Sequence, residues 1–387
     1  MALILTACMT TGFAKAAPVQ PDQPAAAAAQ AETQYQQIPC PLDQYFLQAQ
    51  AVSAETSAKE AEGSESDDAF VDEMGADSIN FSAVTSAGSR YYVFHTDMSL
   101  DQKTVLNIFD EKGQDAGTVE LALGEDGFVG GCSVLPDGRV CFVTNGYDEA
   151  ADQFPWEIVC MSIEPEVTQE AAAAAAANEG GQAAVTAQPG PVKATEAWKR
   201  LLSTSEDFFL RGMVSTDQGT FLLTETEIIV CSNEDGTEVK KIVLPTADFN
   251  GSITKNEAGE ILLAGQDQAG IHVWKLDPAA GTYAESLIQT DHAFMLERLA
   301  PGSSGFDFYY AAEDGIYGFK TDGSAPVLVL DYAKSGLQIE AVDSCALVSA
   351  GSILMVYFNE EAGSCAVLLQ AVPQQAVPQQ EVPQQGA

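Results

Sequence analysis

The sequence is poor in the side chains from which most catalytic and metal sites are built. Histidine occurs only as His95, His272 and His292. Arginine occurs only as Arg90, Arg139, Arg200, Arg211 and Arg298. A soft-metal site, a Ser-His-Asp triad or a phosphate clamp would have few residues from which to form. We therefore predict no catalytic residues, no metal site and no cofactor.

Positive charge is also scarce. The chain has 17 Lys and Arg against 56 Asp and Glu, which gives a formal net charge of −39 at pH 7. Such a field repels phosphate backbones and anionic lipid headgroups and favours solubility. The composition therefore excludes nucleic acid as a partner, and it excludes attachment to a membrane surface through basic patches.

The eight cysteines include no Cys-x-x-Cys pair, which argues against zinc ribbons and thioredoxin-type chemistry. With Cys8 set apart, seven remain, and an odd number does not suggest a disulfide framework, although one or two bridges are possible. Across the hairpin at Asp137-Gly138, we expect Val134 opposite Cys141 and Cys132 opposite Val143. The two cysteines would then be diagonal neighbours about 7–8 Å apart. Buried free thiols are favoured there over a strained bridge.

The N-terminal segment Leu5-Thr6-Ala7-Cys8 resembles a lipobox, in which the cysteine receives a diacylglyceryl group. The apolar run before Cys8 is short and lacks a positive flank, which a start site assigned too late would explain. The alternative is a chance match. Residues 9–34 are rich in Thr, Ala, Pro and Gln, as in a flexible tether. We expect residues 1–34 to be a signal remnant with a tether, and Cys8 to hold the protein on the outer side of a bacterial membrane.

Three further segments have linker composition. Residues 49–78 are acidic, residues 164–195 contain an alanine run, and residues 371–387 repeat Val-Pro-Gln-Gln. We predict low-complexity insertions at 49–78 and 164–195 and a disordered tail at 371–387. The folded domain would then span 35–370.

The rest of the chain consists of short apolar runs rich in Val, Ile, Phe, Tyr and Thr, separated by turns. One hairpin recurs, with a polar turn that ends in glycine: Gly88, Gly138, Gly219, Gly259, Gly305 and Gly351. Further turn glycines follow later in the repeat: Gly236, Gly281, Gly323 and Gly363. Apart from the alanine-rich insertion, the spacing is roughly 40–50 residues, which is typical of a four-stranded propeller blade.

The repeat predicts an all-β fold, a β-propeller of about six four-stranded blades. Seven blades or a pair of β-sandwiches are the alternatives. Because the last repeat has only three evident strands, we expect residues 35–42 to supply its outer strand and to cover an exposed edge. Five aromatic residues could stack on a ligand at the mouth of the ring, although packing between blades is favoured: Trp156, Trp198, Trp274, Tyr309 and Tyr310.

The lipobox, the proline-rich tether, the Pro-Leu segment at 41–42 and the Asp-Gly hairpin together resemble the N-terminal propeller region of Firmicutes surface lipoproteins. Those lipoproteins are related to solute-binding components of ABC transporters. The resemblance implies a β-propeller outside the cell and an accessory part in solute uptake. The chain departs from that pattern after residue 370, where an α/β domain would follow.

The sequence favours a surface lipoprotein whose propeller is a binding or scaffolding module. Its ligand would be a protein, a small molecule or a carbohydrate, and its only membrane contact would be the lipid. The alternative is a propeller glycosidase or lyase that uses paired carboxylates, because acidic residues are abundant. A central channel with two facing carboxylates would favour that enzyme, and a channel without them would favour binding.

Overall fold

The computed structural model describes residues 35–40, 80–87, 90–97, 103–123, 125–165, 192–205, 207–290, 292–294, 296, 299–303, 305–335, 341–348, 352–359 and 363–371. All of them belong to the unit Thr33–Ala387. Cys8 and the predicted tail at 371–387 beyond Ala371 lie outside the described residues, as does the predicted insertion at 49–78.

The described residues form 24 β-strands and one short helix. The first twelve strands are β1 (Tyr35–Cys40), β2 (Asn80–Ala87), β3 (Arg90–Asp97), β4 (Lys103–Asp110), β5 (Asp115–Leu121), β6 (Glu125–Val134), β7 (Val140–Tyr147), β8 (Trp156–Pro165), β9 (Val192–Ser203), β10 (Leu210–Thr216), β11 (Gly219–Thr224) and β12 (Glu227–Cys231). The remaining elements are β13 (Glu238–Val243), β14 (Gly251–Lys255), β15 (Ile261–Asp267), β16 (Gly270–Asp277), β17 (Thr282–Ile288), β18 (Leu299–Pro301), β19 (Phe308–Ala311), β20 (Gly315–Phe319), β21 (Val327–Asp331), α1 (Tyr332–Ser335), β22 (Ala341–Val348), β23 (Ser352–Asn359) and β24 (Gly363–Ala371).

These strands make six four-stranded sheets among the described residues, each antiparallel. Sheets 1 to 5 are the consecutive sets β2–β5, β6–β9, β10–β13, β14–β17 and β18–β21. Sheet 6 has the order β22-β23-β24-β1. The first strand of each sheet, which we call its inner strand, contacts the inner strand of the next sheet, and β22 contacts β2. The all-β propeller arrangement of four-stranded sheets is thereby confirmed.

Sheet 6 joins the two ends of the described chain. Strand β1 pairs antiparallel with β24, from Tyr35 opposite Ala371 to Cys40 opposite Ala366. The expected outer strand from the N-terminal segment is confirmed over Tyr35–Cys40, and residues 41–42 lie outside the described residues. Because β1 lies at the edge of its sheet, the proline at position 39 is tolerated there.

The hydrophobic core consists of layers between sheets rather than one central core. A separate apolar cluster fills each interface from sheet 1–sheet 2 to sheet 5–sheet 6, and another joins sheet 6 to sheet 1. The β-sandwich alternative is wrong, because a sandwich would bury one layer between two sheets.

The second strands show why the apolar runs are continuous. All six residues of β11 are buried. Phe221 and Leu223 pack into the cluster shared with sheet 4, and Leu222 packs into the one shared with sheet 2. Because successive side chains of a strand point to opposite faces, both faces must be apolar when a sheet is covered on both sides.

The recurring turn glycines have the backbone geometry that only glycine adopts without strain. Of the predicted hairpin glycines, the described four have positive φ: Gly138 (89°), Gly219 (137°), Gly259 (78°) and Gly305 (86°). In the turn at Gly138, the N–H of Leu135 donates to the carbonyl of Arg139 at 2.8 Å, and Gly138 N–H donates to Leu135 O at 2.9 Å. The turn therefore contains three residues, and its glycine allows a matching twist of the two strands.

That turn corrects the predicted register. Ser133 lies opposite Cys141, and Cys132 lies opposite Phe142. Cys132 and Cys141 therefore lie on opposite faces of sheet 2 rather than on one face, because a loop shorter by one residue moves every side chain to the other face.

The predicted insertion at 164–195 is shorter at both ends. Strand β8 continues to Pro165, β9 begins at Val192, and these two residues pair with each other. The outer strand of a sheet can use polar residues such as Lys193, so its composition resembles that of a linker.

Candidate functional site

The inner strands surround a cavity of about 590 Å³. Its described walls come from β2, β6, β10, β14 and β18 and from residues next to them. We call this cavity the channel. No Asp or Glu is among the described residues that line it, whereas two cations, Arg211 and Lys255, are. The paired carboxylates that a glycosidase needs are therefore not supplied by the described part of this wall.

Small residues allow the inner strands to lie close enough to close the wall. A Cβ atom at Gly212 of β10 would lie 2.8 Å from Ser252 Oγ of β14. The Ser252 hydroxyl instead donates to the Arg211 carbonyl at 3.0 Å. On the other side of β10, the N–H of Ser215 donates to Ser133 Oγ of β6 at 2.9 Å. These bonds link sheets 2, 3 and 4 around the channel.

Arg211 is the second residue of β10. Its Nη1 donates to Asn250 Oδ1 at 2.6 Å, and its Nη2 lies 3.4 Å from Glu225 Oε1. The Arg211 side chain is 23% exposed and that of Glu225 is 52% exposed. The Nε–H of Arg211 is buried and has no acceptor among the described residues. The guanidinium therefore has N–H groups for which the described residues provide no acceptor.

Lys255 lies at the last position of β14. Its Nζ donates to Ser215 O at 2.8 Å, and its own carbonyl accepts from Gly302 N–H at 3.0 Å. No ion pair involves Lys255 among the described residues. Burial lowers its pKa, and the charge of Asp217 opposes this shift. The ammonium group therefore has no direct ion pair among the described residues, although Asp217 lies close enough to act on its pKa.

A second cavity of about 660 Å³ adjoins the channel at Lys255. The turns that follow β6, β10 and β14 border it, and its walls include Asp217, Glu257 and Glu260. Glu260 accepts hydrogen bonds from Lys275 and Asn256, which lower its pKa. This second cavity has both acidic and basic lining residues. The described lining of the channel, in contrast, has basic residues and no acidic ones.

One of the five candidate aromatic residues lines the channel among the described residues. Trp156 is 8% exposed, and its ring packs edge-on against Phe128 with centroids 5.8 Å apart. The other four pack between sheets instead: Trp198, Trp274, Tyr309 and Tyr310. The favoured packing role is confirmed for these four residues, and Trp156 combines packing with exposure to the channel.

Five cysteines with described side chains are free thiols: Cys132, Cys141, Cys160, Cys231 and Cys365. Cys141, Cys160 and Cys231, which we call the interface thiols, are fully buried between sheets 2 and 3. Cys141 and Cys160 are register partners on neighbouring strands. Burial raises the pKa of Cys160 to about 11 and that of Cys231 to about 12. Such thiols pack as small apolar groups.

Arg139 and the three histidines are not among the described residues that line the channel. Arg139 lies in a turn, as expected, where it contacts Asp137 and donates to Asn233 O at 2.8 Å. Three or more metal-ligating side chains do not cluster anywhere in the described residues. Within the same residues, no helix has the length and apolarity needed to span a membrane.

The sequence did not single out Arg211 or Lys255 as site residues. Arg211 lies near the start of the short strand Leu210–Thr216, away from the turn, and Lys255 ends the short strand Gly251–Lys255. Position before a turn glycine was therefore an available signal for Lys255 and not for Arg211. Cys8, the predicted lipid-attachment residue, lies outside the described residues.

No protein-family model matches the chain, and no curated protein resembles it in sequence. Solved structures resemble it only distantly. A protein of unknown function from Bacteroides caccae is 13% identical, with 65% of this chain and 82% of that chain covered and a TM-score of 0.40. The β-propeller domain of the Trilobed protease from Pyrococcus furiosus, with an open velcro topology, is 8% identical, with coverages of 76% and 83% and a TM-score of 0.36. The extracellular domain assigned to a hybrid two-component system in B. thetaiotaomicron is 9% identical, with coverages of 73% and 32% and a TM-score of 0.37.

Proposed function

We propose that the six sheets are the blades of one closed ring and that this ring is a binding module whose ligand occupies the channel. The observation that carries the proposal is a cavity of about 590 Å³ within the ring of inner strands. Concave sites of this size with an apolar wall and a few polar groups are typical of small-molecule binding. The wall combines apolar side chains such as Val129 and Ile253 with Arg211 and Lys255.

The described wall favours binding over the enzymatic alternative. A glycosidase with paired carboxylates needs two carboxyl groups roughly 5–9.5 Å apart around the bond to be cleaved. The described lining residues of the channel include neither Asp nor Glu. Glu225 lies outside that set and is held near the guanidinium of Arg211.

We further propose that the protein is held outside a bacterial cell by a lipid on Cys8, with an accessory part in solute capture. The support comes from the sequence Leu5-Thr6-Ala7-Cys8 and from the tether composition of residues 9–34. Mass spectrometry of the N-terminal peptide from a bacterial membrane fraction tests the anchor, with globomycin treatment and a C8S control. An unacylated protein released into the medium would contradict it.

A channel-filling variant tests the binding site. Met213 lines the channel, so Met213→Trp fills space there, whereas Val243 on β13 is 80% exposed and Val243→Trp is the matched control. Thermal-shift screening of sugars, amino acids, organic acids, polyamines and short peptides would identify ligands of the native chain. We expect M213W to lose their effect and V243W to keep it. Ligands that stabilise M213W as strongly as the native chain would contradict the channel as the site.

A further inference from the structure

We propose that the channel binds an elongated small molecule with two anionic groups, one at Arg211 and the other at Lys255. The proposal rests on the proposed binding function of the ring and adds the chemical class of the ligand. Four observations carry it: the charge of the described wall, the donors of Arg211, the absence of a direct ion pair of Lys255 among the described residues, and the spacing of the two side chains along β10.

The charge of the described part of the wall is opposite to that of the chain. The protein has 56 acidic residues and 17 basic ones, yet its described channel lining contains two basic residues and no acidic one. The side chains of Arg211 and Lys255 are half-buried, so their charges are screened less than fully exposed charges. A ligand in the channel therefore meets a local positive field, which favours anions.

The guanidinium of Arg211 is suited to bind a carboxylate. A guanidinium has five N–H donors in a planar fork that matches a carboxylate in a bidentate manner. In this protein one donor bonds to Asn250 at 2.6 Å, another reaches Glu225 only at 3.4 Å, and the buried Nε–H lacks an acceptor among the described residues. Leaving such a donor unpaired is unfavourable. A ligand carboxylate would accept from Nη2 and displace its long contact with Glu225.

Lys255 provides the second anchor. Its only hydrogen-bond acceptor given by the described residues is the carbonyl oxygen of Ser215, which carries no formal charge. An ammonium has three donors, so two remain for a ligand. A bound anion would also restore the preference of Lys255 for its charged form, which burial weakens.

The spacing of Arg211 and Lys255 along the strands sets an approximate length for the ligand. Strands β10 and β14 lie side by side. Ser252 Oγ of β14 donates to the carbonyl of Arg211, and Lys255 Nζ of β14 donates to the carbonyl of Ser215. Lys255 is therefore level with Ser215 on β10. Arg211 and Ser215 are four residues apart on one strand, or about 13 Å at 3.3 Å per residue. Apolar residues such as Val214 and Ile253 line the wall. The geometry therefore fits two anionic groups joined by an apolar spacer.

Isothermal titration calorimetry with linear α,ω-dicarboxylates tests this inference, using succinate, adipate, sebacate and dodecanedioate as probes. The matching monocarboxylate decanoate and the neutral decanediol serve as ligand controls. The protein variants are R211Q, K255Q and E225Q. K241Q is the matched control, because it removes the same charge from an ion pair with Glu227 on sheet 3, away from the channel.

We expect the longer dicarboxylates to bind more tightly than succinate, decanoate or decanediol. Loss of either channel cation should weaken binding about tenfold or more, which corresponds to about 1.4 kcal/mol. E225Q should strengthen binding, because it removes the competing carboxylate, and K241Q should leave it unchanged. Circular dichroism and thermal midpoints confirm that each variant is folded.

Two results would overturn the inference. One is dicarboxylate binding that R211Q and K255Q do not weaken, and the other is no detectable binding of any dicarboxylate. Failure of the binding function itself looks different. If neutral or cationic ligands from the thermal-shift screen bind the native chain and fail to bind M213W, the channel is a site and only its anion preference is wrong.

Discussion

Replacing two of the recurring turn glycines by alanine should have very different costs, although the sequence places them in the same role. Gly138 and Gly219 both end a hairpin turn and both have positive φ, 89° and 137°. A Cβ atom at position 138 would have nothing within 4 Å, whereas at position 219 it would lie 2.7 Å from the carbonyl oxygen of Cys231. The two sites therefore share backbone strain and differ in steric contact.

The magnitudes follow from these contacts. Alanine in a left-handed conformation costs about 1–2 kcal/mol, and the stiffer unfolded chain returns about 0.4–1 kcal/mol. We expect G138A to lower the free energy of unfolding by about 1 kcal/mol. At position 219 the backbone carbonyl cannot rotate away as a side chain can, so forced displacement adds about 1–3 kcal/mol. We expect G219A to cost about 3 kcal/mol in total.

Urea unfolding followed by tryptophan fluorescence measures both costs from the shift in midpoint at a common slope. Asparagine tolerates the left-handed region better than alanine, so G138N should lie close to the native midpoint. Equal midpoints for G138A and G219A would refute the reasoning, because they would mean that the contact with Cys231 O carries no cost.

Three further predictions concern groups outside the channel. The interface thiols should resist a thiol reagent in the native protein and react on unfolding, because burial raises the pKa of Cys160 to about 11 and that of Cys231 to about 12; rapid labelling of the folded chain would contradict their burial. Hydrogen bonding, foremost to Glu285, raises the pKa of His272 above its ordinary 6.5, and NMR titration should show E285Q lowering it. The resulting stabilisation is complete below pH 6.5 and is lost as pH rises through the raised pKa, so a native pKa at or below 6.5 would exclude it. Removing residues 35–40 should lower the thermal midpoint and promote self-association in size-exclusion chromatography, because β24 loses its partner strand; an unchanged midpoint would show that β1 is dispensable.

The second and third strands of the sheets were predictable because they are almost continuous runs of apolar residues. Glu227–Cys231 and Gly315–Phe319 are third strands of their sheets and are rich in apolar residues. Strands covered by sheets on both faces need continuous apolar residues, which stand out in any sequence. The turn glycines stand out for a different reason, since positive φ leaves few other residues available.

The inner strands were harder to predict. Strand β6 contains Gly130, Gly131 and Ser133, and β14 begins Gly251-Ser252. Such residues have low β-propensity, and a sequence pattern assigns them to loops. A Cβ atom at Gly131 would lie 3.0 Å from Leu210 Cδ2 of the next inner strand, and one at Gly251 would collide with the carbonyl of Ala264 on β15. No local sequence pattern contains such contacts. The register at Cys141 failed for a related reason, because the length of a turn is a backbone property that composition does not determine.

The position of charge in the ring explains why the candidate site could not be read from composition. Burying an ionisable group between two sheets is costly, so the apolar layers leave turns, outer strands and the channel wall as places for charge. Turns and outer strands face solvent, where acidic residues such as Glu257 and Glu238 are well hydrated. A carboxylate in the channel would lose that hydration, and so does Lys255, whose pKa burial lowers. Arg211 and Lys255 therefore carry a desolvation cost in the channel, and an anionic ligand that pairs with both would offset that cost directly.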